Sequence, residues 1–209
     1  MKEKENLGLA PLVGTVALAA VLWFFTFYVP WGVFWYKISF SALTLTALSF
    51  VFQSPRRLNL TFNPRAAALG LASAVLLYLV FWAGKAVSSV ILPFAGEQIG
   101  FIYDKGQGTS IWKIALLLFF VTGPCEELYW RGFLQRRLMG RFGNARGWII
   151  ATLLYAGVHI SSLNFMLVGA AAVAGAFWGA MYWRLNDLTP VIISHSIWSM
   201  VIFAILPVP

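Results

Sequence analysis

The chain has 209 residues, of which 60% are apolar and only 11% are charged, and its mean hydropathy is +0.79. Soluble domains carry about 25% charged residues, so this composition excludes the soluble globular, disordered and fibrous classes. The single cysteine, Cys125, excludes an internal disulfide. The sequence therefore predicts an all-α fold, a polytopic bundle of transmembrane helices.

A helix needs about 20 mainly apolar residues to cross the hydrocarbon core of a membrane. Seven stretches meet or approach this length, and the first resembles a retained helix rather than a removed signal peptide. In chain order, the predicted spans are Leu9 to Val29, Trp35 to Phe52, Ala66 to Leu92, Ile111 to Arg136, Trp148 to Ile160, Phe165 to Trp183, and Thr189 to Leu206.

The basic residues predict how the bundle is oriented. The formal net charge is +8, and three arginines fall in each of two connections, Gln53 to Arg65 and Arg137 to Gly147. Even-numbered connections lie on one side, and the third connection, Pro93 to Ser110, has no basic excess. The positive-inside rule then places the N-terminus and the arginines in the cytoplasm and the C-terminus outside. Much of the positive charge falls in two short loops between apolar stretches, which is typical of cytoplasmic loops and argues against a nucleic-acid partner.

Ionisable residues occur at membrane depth only in the second half of the chain. Glu126 and Glu127 are adjacent in the fourth span, and the protein's two histidines, His159 and His195, lie in the fifth and seventh. At 1.5 Å per residue, Glu126, His159 and His195 lie about 15, 17 and 10 Å from the arginine-bearing ends of their helices. Intramembrane ionisable residues usually face the protein interior and mark function. Three helices therefore bring polar groups to a similar depth, in the cytoplasmic half of the membrane.

Helical spacing assigns different roles to the two glutamates. Glu127 and Arg131 are four residues apart and can pair on one helix face, which predicts a structural or orienting pair. Glu126 points about 100° away from Glu127 and has no local cation, which favours a functional carboxylate. A Gly-Pro pair at 123–124 predicts a kink immediately before it.

Three short motifs follow in order. Residues 126–131, EELYWR, fit the pattern EExxxR, and the next residues are GFLQ. Tyr155 and His159 fit FxxxH with tyrosine in place of phenylalanine, residues 175–179 form a small-residue segment GAFWG, and His195 and Ser199 fit HxxxN with serine in place of asparagine. Together they resemble the CPBP family, the CAAX-protease and bacteriocin-processing (Abi) intramembrane proteases. The resemblance covers roughly residues 111–206.

The resemblance divides the chain into N-terminal transmembrane helices with their connecting loop, 1–110, and a CPBP/Abi-like catalytic bundle, 111–209. It implies intramembrane hydrolysis of a peptide bond by a water that Glu126 and His159 bind and activate. It also implies that His195, with Ser199, stabilises the oxyanion. Glu127 and Arg131 orient the site, no cofactor or metal is expected, and the sequence leaves the substrate-binding residues unknown.

Several alternatives remain open at this stage. Ser199 in place of asparagine also fits a non-catalytic membrane scaffold of the same fold. Two histidines and a carboxylate are a possible zinc set, although the HExxH spacing is absent. A transporter with a proton relay ranks last, because no second Gly-Pro interruption is found.

The family resemblance also implies the partners and the cellular location of the protein. The expected partners are a membrane-associated protein or peptide substrate and the lipid bilayer. The chain carries no organelle signal, which favours a prokaryotic plasma (inner) membrane, with the active site toward its cytoplasmic side. Neither the prenylation of the substrate nor the oligomeric state can be read from the sequence.

Overall fold

The computed structural model describes residues 8–208, and they form helices and connections without a strand, as the predicted all-α class requires. Short 3₁₀ turns at Pro55–Arg57 and His159–Ser162 lie between the helices. The α-helices are α1 Leu9–Phe27, α2 Phe34–Phe52, α3 Pro64–Ile91, α4 Ala95–Asp104, α5 Ile111–Leu117, α6 Gly123–Tyr129, α7 Arg136–Phe142, α8 Asn144–Val158, α9 Phe165–Leu185 and α10 Thr189–Met200.

Four of the described helices, α1, α2, α3 and α9, are long and apolar enough to cross a membrane. Their outward faces carry large apolar side chains, among them Val13, Phe40, Val75 and Val90, which are 60 to 86% exposed in the isolated chain. Such a surface is stable in lipid and not in water. The protein is therefore an integral membrane protein.

The predicted count of seven spans is not confirmed. The fourth predicted span is divided into α5, α6 and α7, and the seventh is α10 followed by a π-helical turn, Val201–Ile205. The fifth is α8, whose 15 residues rise about 22 Å, less than the thickness of the hydrocarbon core. The cytoplasmic position of the N-terminus stays a prediction.

Helix α4 was not expected from the sequence, which placed only a connection between residues 93 and 110. It packs against α9, where the Asn164 side-chain amide donates to the Gln98 carbonyl at 2.7 Å and the Met166 N–H donates to Gln98 Oε1 at 3.0 Å. A ten-residue amphipathic segment is too short to register as a membrane span. It covers one end of the bundle.

The segmented helix α5–α7 contains two π-helical turns, Leu118–Thr122 and Trp130–Gln135, on either side of α6. Pro124 has no N–H to donate to the carbonyl one turn earlier in the helix, and a π-helical turn accommodates this missing hydrogen bond. The interruption predicted at residues 123–124 therefore takes this form. A Cβ on Gly123 would lie 2.9 Å from the Ser196 Cα, so this glycine permits close approach of α10.

Candidate active site

A cavity of about 800 Å³ lies inside the bundle, and Glu126, His159, His195 and Ser199 all line it. These are the four residues to which the sequence analysis gave catalytic roles. They come from α6, the turn after α8, and α10. Each is no more than 7% exposed, so a reaction at this place would be shielded from bulk water.

The shortness of α8 accounts for the room in the bundle. His159 follows directly after its last residue and begins the 3₁₀ turn, so no further helix fills the space beyond it. The cavity wall there is mainly aromatic and aliphatic, a lining typical of sites for apolar ligands. The sequence left this wall unknown, and it includes Phe34, Phe81, Phe94, Phe165 and Met166.

Glu126 belongs to a chain of hydrogen bonds that crosses three helices, which we name the Glu126 network: Glu126, Tyr155, His159 and Trp23. The Tyr155 hydroxyl donates to Glu126 Oε2 at 2.8 Å. The His159 Nδ1–H donates to the Tyr155 carbonyl at 2.8 Å, and the Trp23 indole N–H donates to His159 Nε2 at 3.2 Å. Because a carbonyl only accepts and an indole only donates, these contacts fix His159 as the neutral Nδ1–H tautomer.

The second glutamate belongs to a separate group, the Glu127 cluster: Glu127, Arg131 and His195. Arg131 Nη1 donates to Glu127 Oε1 at 2.7 Å, so the pair predicted from their spacing is present. His195 Nδ1 donates to the same oxygen at 2.6 Å. The His195 ring stacks on Trp178 with ring centroids 3.8 Å apart and an interplanar angle of 15°. Glu127 therefore neutralises the charge of Arg131 and also fixes the orientation of the His195 ring.

Two polar side chains of the segmented helix α5–α7 bond it to α9. Arg131 Nη2 donates to the Gly175 carbonyl at 3.3 Å, and the Gln135 side chain donates to the Gly179 carbonyl at 2.8 Å. Donors and acceptors are both four residues apart, so one helical turn of each segment faces the other. A Cβ on Gly175 would lie 2.9 Å from Tyr155 Cδ1. The small-residue segment therefore also sets the position of the Tyr155 ring.

Sequence reasoning missed two members of the Glu126 network. Trp23 is fully buried in α1, in the part of the chain where no motif was found, and only its contact with His159 reveals it. The Tyr155 side chain was visible as a departure from the FxxxH pattern. The Tyr155 hydroxyl, which phenylalanine lacks, was the signal in the sequence that a hydrogen-bond acceptor lies next to this side chain.

Three of the four ring nitrogens of His159 and His195 have protein partners. His159 Nδ1 donates to the Tyr155 carbonyl and Nε2 accepts from Trp23, and His195 Nδ1 donates to Glu127. Within residues 8–208, no group of three or more His, Cys, Asp or Glu side chains is arranged to hold a metal ion.

Comparison with known proteins agrees with the motifs. Residues 108–201, just under half of the chain, match the sequence model of the Rce1-like family, described as type II CAAX prenyl endopeptidase Rce1-like. The resemblance to this protease family is thereby confirmed for the segment that holds the four cavity residues. No curated protein and no solved structure matches the chain.

Proposed function

We propose, on the premise that segment 108–201 is that of a CAAX-type protease, that the protein is an intramembrane endopeptidase. Its substrate would be a membrane-associated protein or peptide. The observation that carries the proposal is the arrangement of Glu126, His159, His195 and Ser199 around one mainly apolar cavity. A base, a water site and oxyanion donors in a shielded pocket are the elements that peptide hydrolysis needs.

Glu126 is the proposed general base. It takes a proton from a water, the water oxygen bonds to the substrate carbonyl carbon, and the proton passes to the departing amine as the C–N bond breaks. Tyr155 orients the carboxylate through Oε2. His159 is neutral, and its one acceptor lone pair, on Nε2, accepts from the Trp23 indole. It receives the other hydrogen of the same water when the water takes the place of the Trp23 N–H at this nitrogen.

His195 and Ser199 are the proposed oxyanion donors. With Nδ1 donating to Glu127, the neutral ring of His195 has no hydrogen on Nε2, so only its protonated form can donate there. The Ser199 hydroxyl lies one helical turn further along α10 and supplies the second donor. Removing one such donor from a protease costs about 100- to 1,000-fold in kcat.

The proposed location is a prokaryotic plasma membrane with the N-terminus in the cytoplasm. The active site is proposed to lie toward the cytoplasmic side of that membrane. No step of the proposed reaction passes through a metal ion or cofactor.

The test is cleavage of a membrane-peptide library by purified protein in detergent, with Glu126→Gln against wild type. Glutamine keeps an acceptor for Tyr155 but cannot take a proton, so we expect a loss of about 100- to 10,000-fold. Gly140→Ala is the matched control, because its Cβ would enter open space and this residue does not line the cavity. Cleavage by Glu126→Gln at the wild-type rate would refute the proposal.

A non-catalytic scaffold is the second candidate, and Ser199 is the residue that favours it. Serine stands where the family pattern has asparagine, and its hydroxyl is a shorter donor than an asparagine amide. Ser199→Asn should change the cleavage rate of a protease and leave the partner binding of a scaffold unaltered. Proteolysis by the purified protein would eliminate this candidate.

A further inference from the structure

The indole of Trp178 forms the part of the cavity wall that lies against His195. Trp178 belongs to the small-residue segment of α9, is buried, and lines the same cavity as the four site residues. Its ring lies flat on the His195 imidazole, with centroids 3.8 Å apart and planes 15° from parallel. An aromatic side chain to which the motifs give no role of its own therefore contacts a proposed oxyanion donor.

Two contacts with α10 hold the indole of Trp178 in place. Its N–H donates to Ser194 Oγ at 3.1 Å, and Ser194 is fully buried next to His195 in the chain. The Trp198 ring packs against it nearly at a right angle, with centroids 5.4 Å apart and an interplanar angle of 79°. An indole has a single N–H and can only donate, so the bond to Ser194 fixes how the ring is turned. Trp178 is therefore a fixed surface for the histidine.

Trp178 also separates the cavity from the rest of the Glu127 cluster. The Arg131 guanidinium carbon lies 5.6 Å from the centroid of the Trp178 ring and 4.8 Å from that of the Tyr155 ring, within the range of a cation–π contact. Both aromatic rings line the cavity, whereas neither Arg131 nor Glu127 does. His195 is the member of the cluster that reaches the cavity.

The two neighbours of His195 restrain different features of its ring. Glu127 accepts from Nδ1 at 2.6 Å and determines the direction of that nitrogen. The torsion that tilts a histidine ring has a broad energy profile, and the flat contact with Trp178 restrains that tilt. His195 Nε2 is the one histidine ring nitrogen without a partner in residues 8–208. Its direction follows from the two restraints together.

We infer that Trp178 is a positioning residue: by stacking on His195, it holds the imidazole in the plane that aims Nε2 at the reacting carbonyl. This role rests on the proposed function, in which His195 donates to the oxyanion. Oxyanion donors act through preorganised geometry, and a misplacement of about 1 Å can lower a rate about 100-fold. Trp178 acts through His195 and takes part in no bond that forms or breaks.

The kinetic test compares Trp178→Leu with Trp178→Phe, with kcat measured per molecule that runs as folded protein on gel filtration in detergent. Leucine fills space but cannot stack, so we expect kcat to fall about 10- to 100-fold with KM within about twofold of wild type. Phenylalanine keeps a flat ring and loses the bond to Ser194, so its kcat should lie only about two- to fivefold below wild type.

Trp148→Leu is the matched control. The Trp148 indole N–H also donates to α9, to the Ala176 carbonyl at 3.0 Å, but this residue does not line the cavity. Its loss should lower stability and leave kcat of the folded molecules at the wild-type value. An equal fall in kcat for Trp148→Leu and Trp178→Leu would overturn the inference, and so would a phenylalanine variant as impaired as the leucine variant.

The second test is NMR of protein labelled with ¹³C and ¹⁵N in histidine, which does not depend on cleavage. The chain has two histidines, so every labelled ring signal belongs to His195 or His159. Carbon-bound protons above the face of an indole are shielded, so we expect the His195 ring signals upfield of free histidine in wild type. Trp178→Leu should remove that displacement. His159, whose aromatic neighbours meet it edge-on or tilted, is the internal reference.

The wild-type spectrum alone can overturn the inference, even if Trp178→Leu fails to fold. Two sets of His195 ring signals, or signals without an upfield displacement, would show that the indole does not hold the ring. A single, displaced set in a protein that cleaves no peptide would instead refute the proposed function and leave the stacking of Trp178 on His195 standing.

Discussion

Glu126 and Glu127 are neighbours in the chain, yet their carboxylates lie in regions of different chemistry. In the Glu127 cluster, one carboxylate oxygen accepts from Arg131 and from His195, and the residue is fully buried. In the Glu126 network, the carboxylate accepts from the Tyr155 hydroxyl and borders the cavity. Glu127 is bonded to a guanidinium and an imidazole inside the bundle, whereas Glu126 is held by a neutral hydroxyl donor beside open space.

The difference indicates how one helix supports both stability and chemistry. A carboxylate that accepts from a buried guanidinium and from an imidazole serves to neutralise the first and to orient the second. A carboxylate with a single neutral donor beside a cavity is held in position and remains accessible to a substrate. Consecutive helical residues point about 100° apart, so Glu126 can line the cavity while Glu127 faces Arg131 and His195.

The largest expected effect is on stability, from Glu127→Gln. The change leaves the Arg131 guanidinium buried without its counter-charge, and breaking a buried ion pair costs about 3 to 5 kcal/mol. We expect a marked fall in the free energy of unfolding, measured by denaturant titration in detergent micelles. Gln cannot replace the charge that His195 faces, so activity of the folded fraction should fall as well.

The matched variant Glu126→Gln decides whether the two regions differ as described. It removes no cation partner and should leave the unfolding free energy within about 1 kcal/mol of wild type, the size of an ordinary hydrogen-bond change. Equal destabilisation by both variants would show that the carboxylates have the same structural role, and the contrast would be lost.

The next effect concerns activity and comes from Tyr155→Phe. This change deletes only the hydroxyl that donates to Glu126 Oε2, and it restores the residue usual in the FxxxH motif. A hydrogen bond to a charged group contributes about 1.5 to 3 kcal/mol, so we expect kcat to fall roughly 10- to 100-fold with little change in KM. An unchanged kcat would mean that packing against Gly175, rather than the hydroxyl, is what this side chain provides.

The sequence predicted the fold class because hydropathy alone requires helices in a membrane. It predicted an interruption at residues 123–124, but neither α4 nor the second π-helical turn, Trp130–Gln135, since no local pattern indicates them. A ten-residue helix becomes stable when Gln98 bonds to residues 164 and 166. The first π-helical turn, Leu118–Thr122, ends where Pro124 and the contact of Gly123 with Ser196 constrain the backbone.

The candidate site was predictable where its residues repeat at helical spacing. The pairing of Glu127 with Arg131 follows from four residues of separation, and the motifs locate both histidines. The contact of His195 with Glu127 joins residues 68 positions apart, and that of Trp23 with His159 joins residues 136 apart. No local pattern encodes such pairs.

The smallest expected effect comes from Trp23→Phe, which removes the indole N–H from His159 Nε2 and keeps an aromatic ring in α1. A neutral hydrogen bond contributes about 0.5 to 1.5 kcal/mol, so loss of orientation should lower kcat by about two- to tenfold. The free energy of unfolding in detergent, measured in parallel, gives the stability lost through the smaller phenylalanine ring and so separates it from the loss in kcat. A rise in kcat would instead show that Trp23 competes with the attacking water for the Nε2 lone pair. In that case the Trp23 N–H of α1 would keep His159 Nε2 from accepting the water, and the Glu126 network would hold the enzyme in an inactive form.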